Sequence, residues 1–213
     1  RRSARATQFS DFLDDYSTLS PGGRYDALYQ WRDPDTDWDR YDKLILEPVV
    51  FWGDAGSDRR LSPIEKRELA SYFYNKAYIA LSPEFLMLDA PLTHDPDTLE
   101  LRIAITRIDR RDPLLDTTST VTTLGLATTS IVGAYSGRTP YTGELAVEFM
   151  ITDAKTGRTL SRGADRRLGG KWLAKGPDPW ADAYAAIDAL TDNLAYRLCS
   201  LRADSDCRPP LQP

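Results

Sequence analysis

Apolar and polar side chains alternate from Thr98 to Ile108. Leu99, Leu101, Ile103 and Ile105 fall on one side of an extended chain, and Glu100, Arg102, Ala104 and Thr106 fall on the other. This period of two predicts a half-buried strand. Gly143 to Thr152 repeats the pattern, with Leu145, Val147, Phe149 and Ile151 as the inner set. Asp153 to Gly157 then reads as a hairpin turn, with Gly157 able to take the left-handed conformation, and Arg158 to Arg167 as the return strand. Lys43 to Trp52 is a compact apolar run rich in β-branched and aromatic residues, consistent with a buried strand. Pro48 has no N–H to give a ladder, which places that strand at an edge or bulges it. Phe85 to Leu88 is a further candidate strand.

Two stretches carry helical spacing instead. Ser62-Pro63-Ile64-Glu65 combines a capping serine, a proline at the first helical position and a glutamate able to reach back to the cap. Leu69, Phe73, Ala77 and Ala80 then share one face, and the helix should stop near Ser82-Pro83. Asp178-Pro179 opens the second helix, along which Trp180, Tyr184, Ile187, Leu190, Leu194 and Leu198 recur. The first forty residues have no clean period but many aromatics and strong turns, such as Ser20-Pro21-Gly22-Gly23, and read as an extended arm anchored by its rings. The expected fold is α/β of the α+β kind. It has a mixed, mostly antiparallel sheet of about five strands with two main helices packed on one face. The expected divisions are the arm at 1–40, one domain at 41–203 and a tail at 204–213.

Composition narrows the class. The 213 residues are 41% hydrophobic and 28% charged, ordinary for a packed domain. The net charge of -5 disfavours binding to nucleic acid phosphates. Thr117 to Gly137 is long and uncharged, but Thr, Ser and Gly dominate it, which argues against a lipid-facing helix. The chain has no initiator methionine and no apolar signal core, so it is expected to begin after processing or at an artificial boundary. Cys199 and Cys207 are the only cysteines. In an oxidising compartment they would bridge the last helix to the tail; in a reducing one they would be two unrelated thiols. The even count and short spacing favour the bridge.

Candidate chemistry is thin. His94, the only histidine, has no orienting partner or nucleophile near it in sequence and reads as a surface residue. Asp33, Asp35, Asp37 and Asp39 alternate as in a calcium loop. However, Trp38 stands where that loop needs glycine, and Leu44 where it needs the bidentate glutamate, so a solvated acidic turn is favoured. No nucleophile elbow or phosphate-binding glycine loop occurs. The expectation is no catalytic residue, no metal and no cofactor. Tyr135, in the uncharged segment, and Asp165, Arg166 and Arg167, at the end of the return strand, are the candidate binding residues. The alternative for the last three is a surface salt-bridge cluster. The Thr117–Gly137 segment is either a contact surface or a plain connection.

Several motifs together resemble a known family. They are Phe12-Leu13-Asp14-Asp15-Tyr16-Ser17-Thr18-Leu19, Tyr41-x-Lys43-x-x-x-Glu47-Pro48-Val49 and Pro96-Asp97-Thr98-Leu99-x-Leu101-Arg102-x-Ala104-Ile105-Thr106. Gly143-Glu144-x-Ala146-Val147-Glu148, Asp153-x-x-Thr156-Gly157 and Asp165-Arg166-Arg167 follow. In order and spacing they resemble bacterial lipoproteins of the domain-of-unknown-function family 3313, over roughly residues 9 to 200. The resemblance implies a Gram-negative export signal ending in a lipidated cysteine. It also implies a periplasmic domain anchored to the outer membrane, and it brings no catalytic residues. The expected function is that of a non-enzymatic envelope lipoprotein acting through contacts with another envelope protein. The alternative is a binding module for a small envelope ligand, a lipid or glycan fragment.

Overall fold

A computed structural model describes residues 10–53, 61–89, 95–109, 144–168, 180–203 and 206–210. Their centre is an antiparallel triplet: β6 (Thr98–Asp109), β7 (Glu144–Asp153) and β8 (Thr159–Leu168), preceded in the chain by five shorter strands. On the inner side of β6, Leu99, Leu101, Ile103 and Ile105 are buried, as are Leu145, Val147, Phe149 and Ile151 of β7. The inner set read from the sequence is thus the set that packs on the helices, while Glu148, Met150 and Thr152 on the other side of β7 are buried as well. The β7–β8 turn is held by Asp153, whose carboxylate accepts from the backbone N–H groups of Lys155 (3.0 Å) and Thr156 (2.9 Å). Gly157 completes the turn at φ +72°, a region open to glycine.

Two flanks extend this triplet. β1 (Ser20–Pro21) and β2 (Tyr29–Arg32) form a hairpin, and β2 pairs antiparallel with β8. On the other side β3 (Lys43–Leu46) pairs parallel with both β6 and β5 (Leu86–Leu88). The described sheet therefore has eight strands, in the order β1-β2-β8-β7-β6-β3-β5, with β4 (Val50–Phe51) also on β6. The excess over the expected five comes from the arm's short hairpin and from one broken run. Two- and four-residue strands carry too few positions to show a period. Pro48 splits the Lys43–Trp52 run: Leu46 pairs with Leu101 and Val50 with Ala104, so four steps on one strand match three on the other. That is a β-bulge at the residue unable to donate.

Helix α1 (Pro63–Leu81) begins with the expected capping box. The Ser62 N–H donates to Glu65 Oε2 (2.8 Å), and the Glu65 N–H donates to Ser62 Oγ (3.2 Å). Its buried face is Leu69, Phe73, Ala77 and Leu81; Leu81, rather than Ala80, closes the stripe. Helix α2 (Ala181–Ser200) buries Ile187, Leu190, Leu194 and Leu198. The Asp178-Pro179 start lies outside the described residues. The helices cross-link through Tyr72, whose hydroxyl donates to Asp188 (2.9 Å) and whose ring meets Tyr184 edge-on at 4.6 Å. Trp180 Nε1 donates to Glu65 Oε1 (3.1 Å), tying the two helix starts together. Both helices and the inner faces of the strands enclose one apolar core. Cys199, in the last turn of α2, and Cys207 in the tail are joined by a disulfide with their Cα atoms 5.8 Å apart, which fastens the tail to the helix.

Candidate functional site

Of the residues singled out in the sequence, Tyr135, the rest of Thr117–Gly137 and His94 lie outside the described residues. The Asp165-Arg166-Arg167 trio does not form a surface cluster, because the pleat of β8 sends its members to opposite faces. Arg166 points away from the helices and pairs with Glu144 (2.7 Å). Asp165 is only 6% exposed and faces α2, where Arg197 Nη2 lies 3.9 Å from its carboxylate. Burial lowers the pKa of the Arg197 guanidinium, while Asp165 and Asp26 oppose that shift. Arg197 also stacks 5.3 Å from the ring centroid of Phe149. These residues stitch α2 to the sheet.

The other face of the sheet is covered by the arm. Glu148, 1% exposed, projects from β7 away from the helices. Its carboxylate accepts from the Ser10 N–H (3.1 Å), Ser10 Oγ (2.9 Å) and Tyr16 Oη (2.6 Å). Burial, helped by Glu148, raises the pKa of the Tyr16 hydroxyl. Next to it Arg162 pairs with Asp14 and Asp15 and lies 4.5 Å from the Trp31 ring centroid. Burial of Asp14 works against its charge, but hydrogen bonds from Arg162 and Thr159 prevail and hold its carboxyl below the usual range. The space between arm and sheet is therefore filled with salt bridges. The aspartates after β2 act in turns and ties: Asp33 accepts from the Asp35 N–H (3.0 Å) and Asp39 from the Ala203 N–H (2.7 Å). Among the described residues no group of three His, Cys, Asp or Glu side chains is arranged to hold a metal ion.

One open feature among the described residues is a groove of about 620 Å³ between the flank of α1 and the edge of the sheet at β4. Pro48, Val49 and Phe51 form its sheet wall; Lys66, Arg67, Ala70, Ser71, Tyr74 and Asn75 form its helix wall. The volume is in the range of ligand sites, and the lining is mainly apolar. Three local causes open it. The Pro48 bulge displaces the chain, β5 stops after pairing with Ile45, and small Ala70 leaves room beside Phe51. Further along the same two elements, Ile79 (66%) on α1 and Leu86 (62%) on β5 are exposed apolar side chains. At one end Lys66 Nζ sits 5.8 Å from the Phe51 ring centroid. At the other, burial and then the negative surroundings of Tyr78, Asp89 and Glu47 raise the pKa of the Tyr74 hydroxyl. The sequence hinted at this place only through Pro48 within an apolar strand.

A family model described as a protein of unknown function, DUF3313, matches residues 8–194. The chain belongs to the DUF3313 family. No curated protein matches it. Among solved structures, similar chains include a PelC dodecamer from Paraburkholderia phytofirmans. It is 11% identical with a TM-score of 0.43, and the match covers 78% of this chain and 94% of that one. Another is protein XCC0632 from Xanthomonas campestris, of family DUF330. It is 13% identical with a TM-score of 0.42, and the match covers 78% of this chain and 89% of that one. At those values the likeness says nothing about activity. No described helix of this DUF3313 member is long and apolar enough to cross a membrane.

Proposed function

We propose that this DUF3313 chain is a non-enzymatic binding domain of the bacterial cell envelope, held at the outer membrane by a lipidated N-terminus and acting through contact with another envelope protein. The observation that carries the contact reading is the β4–α1 groove. It is an apolar cleft with two cations on its lip, while the opposite face of the sheet is already filled by the chain's own arm. The lipid anchor and the outer-membrane address rest on the family motifs quoted above. The groove's volume also suits a second reading, a small amphiphilic ligand of the envelope.

Native mass spectrometry of the chain, extracted from its own envelope in mild detergent, separates the two. A protein-sized addition that disappears in the groove-filling variant Ala70→Trp supports the contact reading. A lipid-sized addition with the same sensitivity supports the ligand. An unchanged mass with both the native chain and the variant removes the groove as a site.

A further inference from the structure

Resting on the contact reading, we propose that the groove takes an extended segment of the partner protein. The segment adds as a strand to the outer edge of β4 and sets a carboxylate against Lys66 and Arg67.

The first support is the ladder. Trp52 donates its backbone N–H to Ile105 O (3.0 Å), with Val50 opposite Ala104 and Phe51 opposite Ile105. In a parallel ladder both polar groups of alternate residues point to the same neighbour. Val50 and Trp52 therefore face β6, and the N–H and C=O of Phe51 point out of the sheet toward the groove. β5 covers the same row only as far as Ile45, so among the described residues the row beside β4 is empty. An unpaired edge of this kind is a template for an added strand.

The second support is charge. Arg40, Lys76 and Arg202 each pair with a carboxylate: Asp97, Asp188 and Glu84 respectively. Lys66 and Arg67 project from the first turns of α1 at the lip of the groove, with no carboxylate in reach among the described residues. Glu47 and Asp89 sit toward the Tyr74 end. A segment with apolar side chains directed at Ala70 and Tyr74 and an acid at the Phe51 end matches both the lining and this polarity. A fatty acyl chain could fill the apolar part, but it would leave the Phe51 backbone groups without a partner.

The test uses the full chain to select from a display library of random peptides, followed by affinities for the winners and for versions N-methylated at one backbone position at a time. Winners should alternate apolar residues and carry Asp or Glu near one end. N-methylation should abolish binding at every second position and be tolerated between. The pair Lys66→Glu and Arg67→Glu should weaken binding about tenfold, since two exposed attractions become repulsions. Lys66→Gln with Arg67→Gln gives a smaller loss and guards against misfolding. An empty selection, an N-methyl profile without alternation, or indifference to the charge changes would each overturn the strand proposal. If Ala70→Trp still abolishes the envelope complex in that case, the contact reading survives without it. If Ala70→Trp has no effect, both fail.

Discussion

Replacing Gly163 by alanine has an effect whose sign the packing determines. An alanine Cβ at this position would sit 2.7 Å from Cε1 and Cζ of Phe149 and 2.8 Å from the Tyr29 carbonyl oxygen. Gly163 lies opposite Phe149 on β7 and Gln30 on β2, so it has a partner on each side. The Phe149 ring cannot swing freely, because Arg197 is stacked on it. The Tyr29 carbonyl belongs to a paired strand. Without these neighbours, Gly→Ala in a strand would stabilise by about 0.4–1 kcal/mol by restricting the unfolded chain. Overpacking against a ring and a backbone costs about 3 kcal/mol. The net loss should be about 2 kcal/mol, a fall in Tm of about 4–8 °C for a domain of this size. Calorimetry of Gly163→Ala, Phe149→Leu and the double variant measures it. The second substitution should remove much of the clash, leaving a favourable coupling of about 1 kcal/mol. A Tm that rises in Gly163→Ala, or two losses that simply add, would refute the reasoning.

Tyr41, 1% exposed, donates its hydroxyl to Asp153 (2.8 Å), and burial together with that carboxylate pushes its pKa from 10.0 up to about 12. A raised folded-state pKa gives stability that is complete below pH 10 and lost as pH rises through 12, here about 3 kcal/mol, and Tyr41→Phe should lack that alkaline decline in chemical denaturation. Glu148→Gln removes the charge that holds Ser10 and Tyr16, so residues 10–19 should exchange amide protons markedly faster, with a stability loss of about 2–4 kcal/mol. Reducing Cys199–Cys207, which spans a separation of eight residues, should cost about 2–3 kcal/mol in thermal unfolding; native thiols that titrate freely would contradict the bridge.

What the sequence made legible was whatever a period or a cap encodes. Over Leu99–Ile105 and Leu145–Ile151 the inner apolar positions recur at every second residue, and Ser62-Pro63-Ile64-Glu65 spells its own helix start. The turn at Gly157 was legible for the same local reason. The β1–β2 hairpin was hidden because its strands are short and its partner, β8, lies some 130 residues away, as in the Ser161 Oγ bond to Trp31 O at 3.0 Å. The division of the charged trio between two faces was not legible because adjacency in sequence is opposition across a pleat. Asp165 faces α2 while Arg166 faces Glu144. Glu148 and Arg162 look like solvent-side residues of alternating strands, and only the arm folding back over them explains their burial. The groove is a property of three elements that end at different places, and no single segment announces it.

The groove contact is tested most directly by a photoreactive side chain placed at Ser71, within the groove, and in a separate variant at exposed Ser200 on α2, each in the living envelope. The account predicts one discrete protein adduct from position 71 that Ala70→Trp eliminates, and none from position 200. Equal adducts from both positions, or a position-71 adduct indifferent to Ala70→Trp, would contradict it.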